Sequence, residues 1–241
     1  MARVAERRAT STMPVNYLPA VFAGALTTLA VALVSLLIAI VLGLAGAMAR
    51  LSRVRALRVA ATAYTTVVRG VPDLVLMLLV YYGGQRLLNA ALEHWADGAY
   101  LDVDPFVAGT LTIGFVYGAY LGETFRGAVL AVPAGQAEAA RAYGMTGPQV
   151  WRRVLGPLML RHALPALSNN WLVMLKSTAI ISVIGLPDLM QRAGLAAGAT
   201  REPFFFYGVA AAVYLLFTGV SEWGLRSLQS RLGIGAREIR L

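Results

Sequence analysis

The sequence predicts an all-α integral membrane protein with about five transmembrane helices, and its composition and apolar runs support this class. Of its 241 residues, 58% are hydrophobic and 14% are charged, whereas soluble domains carry about 25% charged residues. Five apolar runs are each long enough to cross the ~30 Å hydrocarbon core of a bilayer, and none alternates as a strand would. We expect one transmembrane domain over residues 1–241, with spans at residues 18–48, 60–88, 106–130, 167–190 and 204–225.

The distribution of charge predicts how these spans are oriented. The net charge is +9, and a soluble protein with this excess would be a candidate for nucleic-acid binding. Here the arginines instead cluster beside apolar runs, as the positive-inside rule describes for cytoplasmic loops. Residues 50–58, residues 133–165 and the tail that includes Arg240 are therefore predicted to be cytoplasmic, while the acidic stretch 89–105, which includes Asp97, is predicted to lie outside. This alternation puts the N-terminus outside and the C-terminus in the cytoplasm.

The ends and breaks of the spans are predicted in chain order. The first run, at residues 18–48, is longer than the apolar core of about 7–15 residues in a signal peptide, so we expect a retained helix. The second run is broken at residues 69–73 by glycine and proline, which weaken or remove helical hydrogen bonds. Such a break persists in a membrane only where protein or a cavity satisfies the backbone. The fourth span is predicted to be capped at its outer end by Asp188, and a loop is predicted at residues 191–203.

The polar stretch at residues 133–165 predicts a helix-turn-helix at the membrane surface. Residues 137–143 are strong helix formers, and Gly144 would end that helix. Residues 150–155 would form a second short helix, in which Trp151 precedes two arginines. Such an element is suited to docking a partner, although an ordinary amphipathic interfacial loop would show the same patterning.

The same stretch resembles a motif of a known protein family. Glu138-Ala139-Ala140 is followed after three residues by Gly144, and the segment then ends in Val154-Leu-Gly-Pro. This arrangement resembles the EAA loop of binding-protein-dependent ABC importer permeases. The usual ending of that loop is Ile-x-Leu-Pro, so this sequence departs from it by a glycine at the third position.

Three further segments resemble motifs of the polar amino acid branch of that family. They are the break at residues 69–72, the third-span segment at residues 118–127, and the segment at residues 174–178. Within the branch, the sequence is similar to Q-type permease subunits of histidine and lysine-arginine-ornithine importers, with opine permeases as the alternative. The resemblance covers about residues 20–225.

This resemblance implies a type I ABC importer permease of the bacterial inner membrane that works by alternating access. A second, related M-type permease subunit, two ATP-binding subunits that bind ATP and Mg²⁺, and a periplasmic binding protein would complete the importer. Glu138, Ala139, Ala140 and Gly144 would couple the ATP-binding subunits to the spans. The sequence contains no phosphate-binding Gly-x-x-x-x-Gly-Lys-[Ser/Thr] motif. This chain is therefore predicted to be non-catalytic and to hold no cofactor of its own.

Charged residues within the spans are the first candidates for the substrate path, because each costs about 2.5–3.5 kcal/mol at a helix centre. Asp73 lies four residues after Arg69, so the two could pair with each other or face the substrate. Glu123 lies three residues before Arg126, which leaves a local ion pair and a contact with a cationic substrate as equal alternatives. Lys176 could hold a substrate carboxylate or neutralise one of these acids.

Uncharged polar residues complete the predicted substrate path. Tyr117 and Tyr120 offer ring faces to a cationic amino acid, although tyrosine in a helical bundle more often serves packing. Ser177 and Thr178 follow the lysine in a segment that resembles the Leu-Lys-x-Thr motif of the branch. Many relatives carry an acid at the position of Ser177. If that acid contacts a cationic substrate, this subunit lacks it, and the partner permease would carry the recognition.

Two other classes of membrane protein fit the sequence less well. A membrane-embedded enzyme or a metal site is disfavoured because there is no cysteine, His94 and His162 lie far apart, and no Gly-x-Ser-x-Gly motif occurs. A secondary carrier commonly contains an internal repeat, whereas the EAA pattern occurs once here. We therefore expect an ATP-driven importer subunit, with a secondary carrier as the remaining alternative.

Overall fold

The computed structural model describes residues 2–95 and 101–231, with side chains described at residues 15–93 and 101–231, so Asp97 and Arg240 lie outside it. Within these residues the chain forms helices and no strands, which confirms the predicted all-α class. Short π-helices at Leu79–Gly83 and Trp151–Leu155 and a 3₁₀-helix at Thr178–Ile184 continue neighbouring α-helices. The α-helices are α1 Ala2–Leu51, α2 Arg55–Gly70, α3 Asp73–Leu78, α4 Gly84–Trp95, α5 Pro105–Leu130, α6 Ala134–Ala142, α7 Gly147–Val150, α8 Gly156–Ser177, α9 Leu189–Thr200 and α10 Pro203–Arg231.

Within the described part of the chain, five helical segments are long and apolar enough to cross a membrane, as the sequence predicts. The shortest has 21 residues, and at ~1.5 Å per residue its length matches a hydrocarbon core of about 30 Å. The five segments are Val15–Leu51, Asp73–Glu93, Pro105–Leu130, Gly147–Ile184 and Pro203–Arg231.

The predicted break in the second apolar run separates α2 from α3. Val71 has φ −108° and ψ 136°, and Pro72 has φ −58° and ψ 137°, so both residues have extended backbone. The membrane-spanning helix therefore begins at Asp73, after the break. Because α2 ends at Gly70, Arg69 and Asp73 do not share the helical turn on which their predicted pairing depends.

The prediction of a loop at residues 191–203 is wrong, because most of this stretch belongs to α9. Asp188 has an extended backbone, and its Oδ1 accepts a hydrogen bond of 2.8 Å from the backbone N–H of Gln191. Asp188 therefore caps the N-terminus of α9. The sequence-based prediction that it caps the fourth span is wrong. An acid at this position satisfies an amide that the first helical turn leaves unpaired. Alanines, which favour helix, continue α9 through two glycines until Arg201, where φ is 59°.

The second helix of the predicted helix-turn-helix is the start of a long helix. Helix α7, a π-helix and α8 follow one another from Gly147 to Ser177, whereas the sequence pattern predicts a short helix. The N–H of Gly156 bonds to the carbonyl of Trp151, five residues earlier. A Cβ at position 156 would stand 2.9 Å from that carbonyl oxygen, so glycine fits this wide turn. The wide turn also accommodates Pro157, which has no N–H to donate.

The chain forms two compact units, and close helix contacts hold the first one together. A Cβ on Gly24 of α1 would stand 2.6 Å from the carbonyl oxygen of Asp188. The backbone N–H of Leu189 donates to the Thr28 hydroxyl at 3.1 Å. Small residues and buried hydroxyls at helix contacts are typical of packing within membranes. The first unit consists of Met1–Ser35, Pro72–Ile113 and Met174–Gly219.

The second unit shows the same kind of packing between α1, α2 and α5. A Cβ on Gly43 would stand 2.7 Å from the Cβ of Leu121. The Tyr64 hydroxyl donates to the backbone carbonyl of Phe115 at 2.5 Å. The second unit consists of Leu36–Val71, Gly114–Val173 and Val220–Leu241.

Candidate functional site

Three of the predicted substrate-path residues lie on one face of α5, in the second unit. Tyr117, Tyr120 and Glu123 follow one another at intervals of three residues, which places neighbouring side chains on the same side of a helix. The ring centroids of the two tyrosines are 5.5 Å apart. Tyr117 is buried, while Tyr120 and Glu123 are half-buried. The α5 residues of the predicted path therefore share one surface.

An arginine of the same chain lies over one of these rings. The Cζ atom of Arg69 is 5.0 Å from the ring centroid of Tyr120, a distance at which a guanidinium and an aromatic face attract each other. Arg69 is the penultimate residue of α2, and it is exposed. The Tyr120 ring is predicted to contact a substrate cation. In this conformation it contacts the guanidinium of Arg69 instead.

Glu123 is the centre of a group of ion pairs. Arg126 donates from Nε and Nη2 to Oε2 of Glu123 at 3.1 and 3.0 Å. Arg50 of α1 contacts the other carboxylate oxygen, and its Nη1 donates to the Thr65 hydroxyl of α2 at 3.3 Å. The exposed fractions of the three charged side chains lie between 19% and 31%, so water shields these pairs only in part. The local ion pair is present, and a contact of Glu123 with substrate stays a prediction.

The other predicted substrate-path residues lie in the first unit. Asp73 begins α3 and is half-buried. Lys176, which is exposed, and Ser177 end α8. Thr178 is buried, and its hydroxyl donates to the carbonyl of Leu175 at 2.7 Å. The backbone changes there from α-helix to 3₁₀-helix. That these residues line the path stays a prediction.

The predicted coupling residues lie on α6 and in the turn that follows it. Gly144 has a φ of +80°. Its N–H bonds to the carbonyl of Arg141 at 2.9 Å, and the N–H of Met145 bonds to the carbonyl of Ala140 at 3.2 Å. These are the two hydrogen bonds of a Schellman motif, which ends a helix at a residue in the left-handed conformation. The EAA segment is therefore closed by a position that favours glycine.

The turn after α6 presents an exposed surface. Glu138 and Ala139 are exposed, whereas Ala140 is buried. Tyr143 is 87% exposed and Trp151 is 42% exposed. Exposed aromatic side chains among polar residues mark surfaces that bind other proteins. This element therefore has the character of a docking surface.

Two of the partners in the second unit were not predicted from sequence. The contact of Arg50 with Glu123 joins α1 to α5, and the contact of Arg69 with Tyr120 joins α2 to α5. The spacing of residues along one helix reveals the pair of Glu123 with Arg126, but it carries no information about side chains on other helices. The unusual number of charged residues near these span ends was the available signal.

Helical segments long enough to cross a membrane, together with an exposed helix-turn-helix, define a multi-pass membrane protein with a surface suited to docking. The chain belongs to the family described as binding-protein-dependent transport system inner membrane component, whose model matches residues 39–233. The matched residues include the second to fifth membrane-spanning segments and the whole stretch at residues 133–165.

Two relatives and one solved structure resemble this chain over most of their length. The chain is 49% identical over 218 residues to the histidine/lysine/arginine/ornithine transport system permease protein HisQ of Escherichia coli (strain K12), covering 90% of this chain and 95% of the relative. It is 43% identical over 210 residues to the octopine transport system permease protein OccQ of Rhizobium meliloti, covering 87% and 89%. The crystal structure of an amino acid ABC transporter with histidines matches with a TM-score of 0.77 and 33% identity, covering 90% and 96%.

These comparisons confirm the predicted family and the predicted role. The chain is a non-catalytic, multi-pass inner-membrane permease subunit of an ABC amino acid importer, in which the ATPase is a separate subunit. Among the described residues there is no group of three His, Asp or Glu side chains that could hold a metal ion.

Proposed function

We propose that this permease subunit imports histidine and the basic amino acids lysine, arginine and ornithine by alternating access. One observation carries the proposal, which is the 49% identity to the Escherichia coli permease protein HisQ over 90% of this chain. The 218 aligned residues of a 241-residue chain necessarily span residues 73–178, where every predicted substrate-path residue lies. The second candidate function is import of an opine, and the 43% identity to the octopine permease protein OccQ supports it less strongly.

The partners of this importer would be a second, related M-type permease subunit, two ATP-binding subunits and a periplasmic binding protein. ATP and Mg²⁺ would be bound by the ATP-binding subunits, because this sequence carries no phosphate-binding loop of its own. Glu138, Ala139, Ala140 and Gly144 would receive the motion of these subunits. The exposed, glycine-closed turn after α6 supports this assignment.

The chain would act as one permease domain over residues 1–241, with its N-terminus in the periplasm and its C-terminus in the cytoplasm. The arginine-rich stretches support this orientation through the positive-inside rule. Two sets of residues would line the substrate path. They are Tyr117, Tyr120 and Glu123 in the second unit, and Asp73, Lys176, Ser177 and Thr178 in the first.

Uptake by whole cells tests the substrate. A strain that lacks this chain and keeps its partners would be supplied with the wild-type protein, and uptake of radiolabelled L-histidine would be measured. We expect uptake to be restored, and unlabelled lysine, arginine and ornithine to compete more strongly than octopine. Restored uptake of octopine without uptake of histidine would replace the first candidate by the second.

A further inference from the structure

The charged group in the second unit contains more cations than its single acid can balance. Arg50 and Arg126 both contact Glu123, and Arg69 lies over Tyr120, one helical turn before that acid. Arg69 and Arg126 are both close enough to Arg50 to repel its charge. Among the described residues, three guanidinium groups share one carboxylate, which leaves two positive charges without an ion-pair partner.

The remaining hydrogen-bond donors of this group are numerous. Each guanidinium has five N–H donors in a planar fork. Arg126 uses two of them on one oxygen of Glu123. Of the other acids that the structure describes in the second unit, Glu222 pairs with Arg226, and none of them lies within ion-pair distance of Arg69. Like charges at a partly buried site repel each other strongly unless an anion joins them.

We propose that Arg50, Arg69 and Arg126 form a site for the carboxylate group of the transported amino acid. The guanidinium group of arginine binds a carboxylate through two parallel hydrogen bonds, because its planar N–H donors match the two carboxylate oxygens. The inference rests on the proposed function and adds that the carboxylate end of the substrate contacts these three arginines. Histidine, lysine, arginine and ornithine differ in their side chains and share the α-carboxylate, so one anion site serves them all. The positive charge also directs a cationic side chain away from this surface.

The phosphate of an anionic lipid could also bind these arginines, because its oxygens accept the same hydrogen bonds as a carboxylate. Varying the lipid composition distinguishes a lipid phosphate from the carboxylate of the amino acid. The complete permease–ATPase complex would be placed in nanodiscs of phosphatidylcholine alone, and a second set would contain phosphatidylglycerol. Displacement of radiolabelled L-histidine would be measured without the binding protein. The competitors would be L-histidine and L-histidinol, in which a hydroxymethyl group replaces the carboxylate.

Arg69 is the arginine to change, because Glu123 keeps its contacts with Arg50 and Arg126 when Arg69 is replaced. The wild type is expected to prefer histidine over histidinol by about tenfold to a hundredfold, the value of a hydrogen-bonded charge. Arg69→Gln should remove most of this preference, and Arg69→Lys should keep part of it. Arg58→Gln is the matched control, because Arg58 is an exposed arginine of the same helix and its replacement should change nothing.

Each outcome decides between the alternatives. The site is refuted if Arg69→Gln keeps the full preference for histidine, or if Lys176→Gln removes that preference and Arg69→Gln does not. It is also refuted if Arg69→Gln has an effect only in nanodiscs with phosphatidylglycerol, since the anion would then be a lipid. A wild-type complex that transports no histidine when its binding protein is supplied would instead overturn the proposed function, and this inference with it.

Discussion

At the scale of single residues, the turn after α6 depends on the backbone of Gly144. Its φ of +80° costs any residue with a Cβ about 1–2 kcal/mol. We predict that Gly144→Ala weakens retention of the ATPase in mild detergent by about tenfold and lowers ATP-driven uptake accordingly. The space around the glycine is open, so the effect would come from the backbone and not from a clash.

Gly147→Ala is the control for this prediction. Gly147 lies in the same turn, is exposed and has open space around it, but it has no positive φ. Retention of the ATPase should therefore match the wild type. Equal losses in both variants would show that side-chain volume at the docking surface matters, and that the left-handed backbone does not.

Glu123 balances the arginines around it, and its charge should contribute to stability. Glu123→Gln removes the only carboxylate that contacts Arg50 and Arg126 among the described residues. Because these side chains are partly exposed, we expect a loss of about 1–3 kcal/mol in the free energy of unfolding. A thermal-shift measurement in detergent would detect it.

The comparison is with Glu222→Gln, which removes the acid of a pair with Arg226. That pair is much more exposed, at 76% and 46%, so its loss should cost about 0–1 kcal/mol. If Glu222→Gln destabilised the protein as much as Glu123→Gln, the group around Glu123 would have no special structural role.

The sequence reveals the contacts of single residues only where they share a helix. Glu123 and Arg126 are three residues apart on α5, so their pair could be predicted. The approach of Arg50 depends on how α1 packs on α5, which no spacing within one helix determines. The same holds for Arg69, which makes a cation–π contact with the Tyr120 ring. From sequence, this ring is predicted to contact the substrate.

At the scale of helices, glycine controls how closely α1 approaches α5. A Cβ on Gly43 would stand 2.7 Å from the Cβ of Leu121 and 3.1 Å from the backbone nitrogen of Gly122. Gly43→Ala would force the two helices apart, and we expect it to lower the free energy of unfolding by about 1–3 kcal/mol. The midpoint of thermal unfolding in detergent would measure this change.

Gly46→Ala serves as the matched control on the same helix. No atom lies within 4 Å of a Cβ built at Gly46, so alanine should be neutral or stabilise the helix by up to about 1 kcal/mol. A destabilisation equal to that of Gly43→Ala would mean that loss of glycine itself, and not the contact between helices, causes the effect.

The start or end of a helix can be predicted from sequence where the residues at that position determine it. The break before Pro72 follows from a missing N–H and a restricted backbone, so the pattern and the structure agree there. The helix α9 was missed because its two glycines suggested a loop. Its N-cap at Asp188 outweighs them, since the cap and the alanines both favour helix.

At the scale of the whole molecule, the orientation in the membrane can be tested by labelling. The natural chain has no cysteine, so each introduced one is a single reporter. Gly147→Cys and Glu202→Cys are both at exposed positions. We predict that a membrane-impermeant maleimide labels Glu202→Cys in intact cells with a permeable outer membrane, and labels Gly147→Cys only in inverted vesicles. Labelling in the opposite pattern would reverse the proposed orientation.

The class of the molecule was predictable because the bilayer demands a large apolar fraction and long helices. The EAA segment indicated the family because its residue pattern resembles that of known permeases, and the family model confirms the assignment. The substrate was less accessible to the same reasoning. The arginines that give the chain its net charge of +9 follow membrane orientation, so the charge carries no information about the substrate.

The most direct test is uptake into proteoliposomes that contain this chain with its partner permease and ATPase, supplied with the binding protein. If this chain is a subunit of an ATP-driven importer, radiolabelled L-histidine should accumulate only when ATP and Mg²⁺ are available to the ATPase and the binding protein is present. A matched sample with a non-hydrolysable ATP analogue should show no accumulation. Accumulation that proceeds without ATP, driven by an ion gradient, would rule out an ATP-driven importer and identify a secondary carrier.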